Sequence, residues 1–173
     1  MVQRSRSMKS VRLLAVALLS SLLLGGCAAQ KGEGFALYLP AREVPPSQVP
    51  VMSHLDLAER PLISSGDIVS YSWATHTIEL TAGAHDRLRE LEVPVAGRVF
   101  VVAVDRQTVY WGAFWTPLSS MSFDGVVILT PSPQEAHTIR LQLGYPSRLH
   151  FAGEDPRSSP IVKQALEQAG KLK

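Results

Sequence analysis

The chain has a single cysteine, Cys27, among its 173 residues, so no disulfide can form within it. It also lacks a glycine-rich phosphate loop, a G-x-S-x-G nucleophile elbow and any histidine pair at H-x-H or H-x-x-x-H spacing. The sequence therefore offers no motif for P-loop nucleotide binding, for an α/β-hydrolase nucleophile or for a short-spaced histidine metal site.

What the chain does have is a distinctive first segment. Four basic side chains lie within residues 1–12, and residues 13–24 are apolar except for two serines. A basic head followed by an apolar run too short to span a bilayer is typical of a signal peptide. The run ends in Leu-Gly-Gly-Cys at residues 24–27, which resembles the lipobox of bacterial lipoproteins. The resemblance implies cleavage before Cys27 and acylation of its thiol by fatty acids such as palmitate. The alternatives are a free or buried thiol and an uncleaved membrane anchor.

Cleavage before Cys27 changes the charge of the chain. Removing residues 1–26 takes away four basic and no acidic side chains, which leaves 17 − 4 = 13 basic against 15 acidic ones and a formal charge of −2. We therefore expect no nucleic-acid partner, and a membrane contact made through the lipid on Cys27. Ala28 stands where the inner-membrane retention signal of diderm lipoproteins has aspartate. The expected location is the cell membrane or the outer membrane, on the side outside the cytoplasm.

The rest of the sequence predicts one domain. Residues 27–34 are small and polar and form the expected lipidated N-terminus and tether, and residues 35–173 are enough for a single core. Apolar alternation and β-branched content predict strands at residues 35–39, 67–71, 77–80, 99–104, 108–115 and 126–129. Helices are predicted at 82–92, capped by Thr81, and at about 160–170. The pattern predicts an α+β single domain with a mixed or antiparallel sheet and helices packed on it.

Turn and breaker residues refine this outline. The loop 105–107 predicts a tight hairpin between the strands on either side, and Asp124 with Gly125 predicts another turn. An extended, non-helical connector is predicted over residues 40–51 from Pro45, Pro46 and Pro50. Residues 133–143 carry conflicting signals. A capping-box spacing predicts a helix from Pro133, whereas strict apolar–polar alternation predicts a strand from Thr138 to Leu143, and the strand is the preferred prediction.

Amphipathic spacing assigns the buried faces of the two helices. The first helix is expected to bury Ala84, Leu88 and Leu91, with His85 among the polar residues on the opposite side. The second helix is expected to bury Ile161, Ala165, Leu166 and Ala169.

A longer pattern runs from residue 62 to about residue 130. A strand that ends in Leu80-Thr81 precedes a helix, and Gly97-Arg98 then leads into an apolar strand and a hairpin at Asp105. This order is similar to the extracytoplasmic head subdomain of SecD-type protein-export subunits. The resemblance implies an α+β head outside the membrane that contacts polypeptide during export. The chain departs from that family by lacking the surrounding transmembrane helices and by its aromatic-rich strand.

That aromatic strand contains the candidate binding surface. On a pleated strand Tyr110 and Phe114 face one way, and Trp111 and Trp115 face the other. A face left uncovered would suit a protein or ligand partner. The alternative is a strand buried between two layers, which is where fully apolar strands usually lie.

Two other functions remain open. The hydroxyl-rich loop from Ser119 to Asp124 is compatible with an extracytoplasmic hydrolase, and the five histidines are compatible with a small-ligand or metal-binding lipoprotein. Neither group has the motif that would position a nucleophile beside a base or assemble a ligand set, so no catalytic residue, metal ligand or cofactor is assigned. The sequence favours a non-enzymatic binding or assembly component of the cell envelope, whose partner is an envelope protein or peptide.

Overall fold

The computed structural model describes residues 32–52, 54–131 and 136–173, and these residues are mostly sheet. The strands are β1 (Phe35–Tyr38), β2 (Ile68–Ser72), β3 (Thr77–Leu80), β4 (Arg98–Val104), β5 (Gln107–Trp115), β6 (Phe123–Leu129), β7 (Thr138–Arg140) and β8 (Gln142–Tyr145). The α-helices are α1 (Ala82–Arg89) and α2 (Pro160–Gln168), and short 3-10 helices lie at Pro46–Val51, Ser65–Asp67, Arg148–His150 and Pro156–Ser158. The predicted signal peptide, Cys27 and most of the tether lie outside the described residues.

Two sheets build the domain and confirm the predicted α+β class. Strands β1, β4, β5, β6 and β8 form, in that order, a mixed sheet, and β2, β3 and β7 form an antiparallel one. The main core contains side chains from both sheets and both α-helices. Its largest members include Phe35, Leu37, Tyr71, Ile78, Phe100, Phe114 and Leu166.

Strand β4 lies between β1 and β5 and is buried on both faces, as its unbroken apolar sequence predicts. The hairpin to β5 turns at Asp105 and Arg106, whose φ angles of 50° and 64° fit the two left-handed positions of a type I′ turn. The Asp105 carboxylate also accepts a hydrogen bond of 2.8 Å from the Gly34 amide, so the turn holds the start of β1. The hairpin prediction is confirmed.

Strand β6 pairs with β5 in parallel, although only residues 116–122 connect the two strands. Parallel neighbours are usually joined by a longer, helical crossover. The turn predicted at Asp124 and Gly125 is wrong, because both residues lie inside β6, where the pairing with β8 shifts register. A Cβ on Gly125 would lie 2.5 Å from the Phe123 ring, so the glycine makes room for this aromatic side chain.

The segment from Thr138 to Tyr145 is extended, so the strand was the better prediction for it. It pairs with β3 in its first half and with β6 in its second, and Leu141 marks the passage between the sheets. Inward residues alternate through this corner, which is how one strand can serve two sheets. The capping-box residues 132–135 lie outside the described residues.

Both α-helices form where predicted, but their buried faces differ. Thr81 caps α1, its hydroxyl accepting a hydrogen bond from the Ala84 amide, and the helix ends at Arg89, three residues early. Contrary to the prediction, His85 is only 2% exposed, and its ring contacts that of His137 with centroids 5.1 Å apart.

Helix α2 is rotated relative to the prediction. It buries Val162, Ala165 and Leu166, whereas Ile161 and Ala169 are exposed. Val162 thus takes the inward position that the sequence pattern assigned to its neighbour.

The prediction of a wholly extended connector over residues 40–51 is also wrong, because Pro46–Val51 form a 3-10 helix. Pro46 stands at the first helical position, where the missing amide hydrogen costs nothing.

Candidate functional site

Three of the four aromatic side chains predicted as a binding surface lie in the interior. Tyr110 and Phe114 belong to the main core, and Trp115, on the opposite face of β5, is only 2% exposed. The indole of Trp115 stacks on Phe123 with ring centroids 5.1 Å apart and an interplanar angle of 19°. Tyr110 and Phe114 therefore pack between the sheets, and Trp115 is covered by Phe123 on the other face of β5, so these three side chains present no surface to a partner.

Trp111 is the fourth of these side chains and is only partly buried. It packs on the outer face of the mixed sheet with Leu55 and Leu57, and its ring centroid lies 5.9 Å from that of Phe123. Of the four aromatic residues, it is the one that a partner could reach.

The loop from Ser119 to Asp124 uses its buried hydroxyl for structure. The Ser119 Oγ donates to the Val95 carbonyl at 2.6 Å and accepts from the Met121 amide at 3.2 Å. The Tyr145 hydroxyl donates to the Ser119 and Pro117 carbonyls, both at 3.2 Å. Within the described ranges no histidine bonds to Ser119. The hydrogen bonds of this loop therefore stabilise its turns and do not pair a nucleophile with a base.

The histidines do not converge on one site. His54 lies 3.3 Å from the exposed Asp56, and His150 lies near Ser147. His85 packs on His137. These three contacts are separate and do not form a set of metal ligands. Among the residues that the structure describes, no group of three or more histidine, cysteine, aspartate or glutamate side chains could hold a metal ion.

A basic groove of about 380 Å³ lies where the β2–β3 turn meets the passage from β7 to β8. Three arginines and one histidine line it, namely Arg140, Arg148, Arg157 and His76. Sequence reasoning missed this groove altogether.

Of the three arginines in the basic groove, Arg157 has the side chain with the most hydrogen bonds to described residues. Its Nε and Nη2 donate to the two carboxylate oxygens of Asp155 at 2.8 and 2.6 Å, and its Nη1 donates to the Leu141 carbonyl at 2.6 Å. Hydrogen bonding from Arg157 holds the pKa of Asp155 below its usual range. The pair is therefore ionised at neutral pH, and Asp155 compensates the charge of Arg157.

His76 lines the same groove and is held by a buried tyrosine. Its Nδ1 lies 3.0 Å from the Tyr71 hydroxyl. Burial lowers the pKa of His76, and the nearby Arg157 charge lowers it further, while burial raises the pKa of Tyr71. Both groups are neutral at pH 7. Among the described residues Nδ1 is the partner of this hydroxyl, so we assign the Tyr71 hydroxyl as the donor and the remaining histidine hydrogen to Nε2.

The other two arginines are available to a ligand. The Arg140 Nε donates to the Thr75 carbonyl at 3.1 Å, which orients the guanidinium. Its Nη1 and Nη2 have no partner among the described residues and can donate to a ligand. The Arg148 side chain is exposed, and it makes no hydrogen bond or ion pair to any residue in the described part of the chain. No described carboxylate lies within ion-pair distance of either arginine.

A second cavity of about 400 Å³ adjoins the basic groove and shares Thr75, Arg140 and Gln142 with it. The described residues that complete its lining are Thr77, Leu129, Pro131, Thr138 and Ile139. The basic groove therefore adjoins a cavity whose lining carries hydroxyl and amide side chains.

The sequence carries no local signal for the basic groove. Arg140 lies on a strand as an ordinary outward residue, whereas Arg148 and Arg157 lie in 3-10 turns between β8 and α2. Only the passage of the chain from one sheet to the other brings them to one place.

Comparison of the chain with models of protein families, with curated proteins and with solved structures finds no match. In the described part of the chain, no helix is both long and apolar enough to cross a bilayer. Any statement of function therefore depends on the residues themselves.

Proposed function

We propose that this protein is a lipoprotein of the bacterial cell envelope, tied to a membrane through acylated Cys27, whose α+β domain acts as a binding or assembly component. The observation that carries the proposal is the Leu-Gly-Gly-Cys sequence at residues 24–27, placed after a basic head and a short apolar run. An acylated residue with two or more chains is a stable membrane anchor.

The start of the folded domain is compatible with this anchor. Strand β1 begins at Phe35, and Asp105 holds the chain at Gly34. Seven residues, 28–34, would then separate the lipid from the first strand, which at about 3.5 Å each reach at most about 25 Å. The domain would work close to the membrane surface.

A binding role fits the site chemistry better than catalysis. Ser119 is committed to loop contacts, whereas the basic groove offers arginine donors oriented by Thr75 and Asp155. Fixed donors around a concave groove are typical of recognition. The similarity of residues 62–130 to SecD-type heads favours an envelope protein or peptide as a macromolecular partner.

The anchor is tested by metabolic labelling with a palmitate analogue, followed by membrane fractionation. The unchanged chain is expected to be labelled and to sediment with membranes, and Cys27→Ser is expected to lose the label, because no other thiol exists. Ala28→Ser, which alters the neighbouring residue but keeps the thiol, is the matched control and should stay labelled. An unlabelled wild-type chain, or equal labelling of Cys27→Ser, would overturn the proposal.

A further inference from the structure

We propose that the basic groove formed by His76, Arg140, Arg148 and Arg157 is a binding site for a phosphomonoester group carried on a hydroxyl-bearing small molecule or headgroup. This inference concerns the folded domain alone and does not depend on the lipid at Cys27.

Charge favours a phosphomonoester. Asp155 neutralises Arg157 through a bidentate ion pair, which leaves Arg140 and Arg148 as the uncompensated cations among the described residues of the groove. A phosphomonoester carries about −1.5 to −2 charges at pH 7, close to the charge of two guanidinium groups. A single carboxylate would leave one of the two cations unmatched.

Donor geometry points the same way. Guanidinium groups match phosphate oxygens with parallel hydrogen bonds, and a pre-oriented group loses less entropy on binding. The bond from Arg140 to the Thr75 carbonyl orients one such group. His76 adds a neutral ring, and in the tautomer assigned above its Nε2 carries the hydrogen, so this histidine can donate a hydrogen bond without adding charge.

The space exceeds what a lone anion fills. The basic groove measures about 380 Å³, within the range of about 300–1,000 Å³ typical of small-molecule pockets. The adjoining cavity brings Thr77, Thr138 and Gln142 next to Arg140. Hydroxyl and amide side chains there suit the hydroxyl groups of a phosphorylated sugar or of a glycerol-based headgroup.

The test is calorimetric titration of the full chain, purified in detergent. The probes are glucose 6-phosphate and dihexanoyl phosphatidic acid, which present a phosphomonoester from a soluble metabolite and from a lipid headgroup. Glucose and dihexanoyl phosphatidylcholine are their controls without a monoester. Saturable binding of either phosphomonoester supports the site, and the tighter of the two identifies the source.

Variants assign the binding to the basic groove. Arg148→Gln, which removes a side chain with no described protein partner, should weaken binding about ten- to hundredfold, the worth of a charged hydrogen bond. Arg140→Gln should do the same, with partial rescue by Arg140→Lys. Arg42→Gln is the matched control, because Arg42 is an exposed arginine outside the groove. This variant should change the affinity less than twofold, since an exposed charge away from the site contributes little.

Three outcomes would overturn the site. These are no saturable binding of either phosphomonoester, equal binding of the controls that lack one, or the same loss in Arg42→Gln as in Arg148→Gln. Cys27→Ser should keep phosphate binding, so failure of the anchor and failure of the groove are separate results.

Discussion

Both carboxylate oxygens of Asp155 accept hydrogen bonds from Arg157, at 2.8 Å from Nε and 2.6 Å from Nη2. Arg157 Nη1 also donates to the Leu141 carbonyl, so the pair connects the segment before α2 to the residue between β7 and β8. The Arg157 side chain is 13% exposed, so it depends on these partners in place of water.

Replacement of Asp155 should therefore destabilise the fold. Asp155→Asn leaves a largely buried guanidinium without its counter-charge and should lower the free energy of unfolding by about 2 kcal/mol, measured by urea unfolding. Asp86→Asn, which removes an exposed carboxylate paired with Arg89 on α1, is the control and should cost less than about 1 kcal/mol. Equal losses in the two variants would contradict the structural role of the pair.

The same carboxylate makes stability depend on acid. The pKa of Asp155 is lower in the folded chain than in the unfolded one, chiefly through hydrogen bonding from Arg157. Its contribution is fully present above the unfolded value of about 3.9 and is lost as pH falls through the folded value. Urea unfolding between pH 6 and pH 2 should therefore show wild type and Asp155→Asn converging below about pH 4. A difference that stays constant to pH 2 would count against the ion pair.

The two tryptophans of β5 should respond differently to truncation. Trp115→Ala removes a buried indole stacked on Phe123 and should cost about 3–5 kcal/mol. Trp111→Ala removes a partly exposed ring from the outer face and should cost about 1–2 kcal/mol. Thermal unfolding of both variants measures the difference. A larger loss for Trp111 would refute the described burial.

Close packing against Trp115 explains the glycine at position 97. A Cβ there would lie 2.2 Å from the indole, and the residue has φ +81°. Gly153 has φ +97° with nothing within 4 Å of its Cβ position, so Gly153→Ala reports backbone strain alone, about 1–2 kcal/mol. Gly97→Ala should cost about 1–3 kcal/mol more, from overpacking. Equal values in urea unfolding would mean that the indole moves aside freely.

Local chemistry predicted the parts of the fold that depend on neighbouring residues. The hairpin at Asp105 follows from turn chemistry, the burial of β4 from its apolar run, and the extended corner from the alternation at Ile139, Leu141 and Leu143. In each case the deciding interactions lie within a few positions along the chain.

Contacts between distant segments account for what the sequence did not reveal. The parallel pairing of β6 with β5 depends on a seven-residue return that no pattern marks. The burial of Trp115 depends on Phe123 and on the space left by Gly97, and the basic groove depends on the chain crossing between the sheets. None of these three features could therefore be predicted from the local sequence pattern.

The central claim is that Cys27 carries the lipid that holds this domain at a membrane. Intact-mass measurement of the protein extracted from membranes tests it most directly. The account predicts the mass of residues 27–173 increased by a diacylglyceryl group, with or without a further acyl chain. The mass of the unmodified chain of 173 residues, found in the soluble fraction, would contradict it.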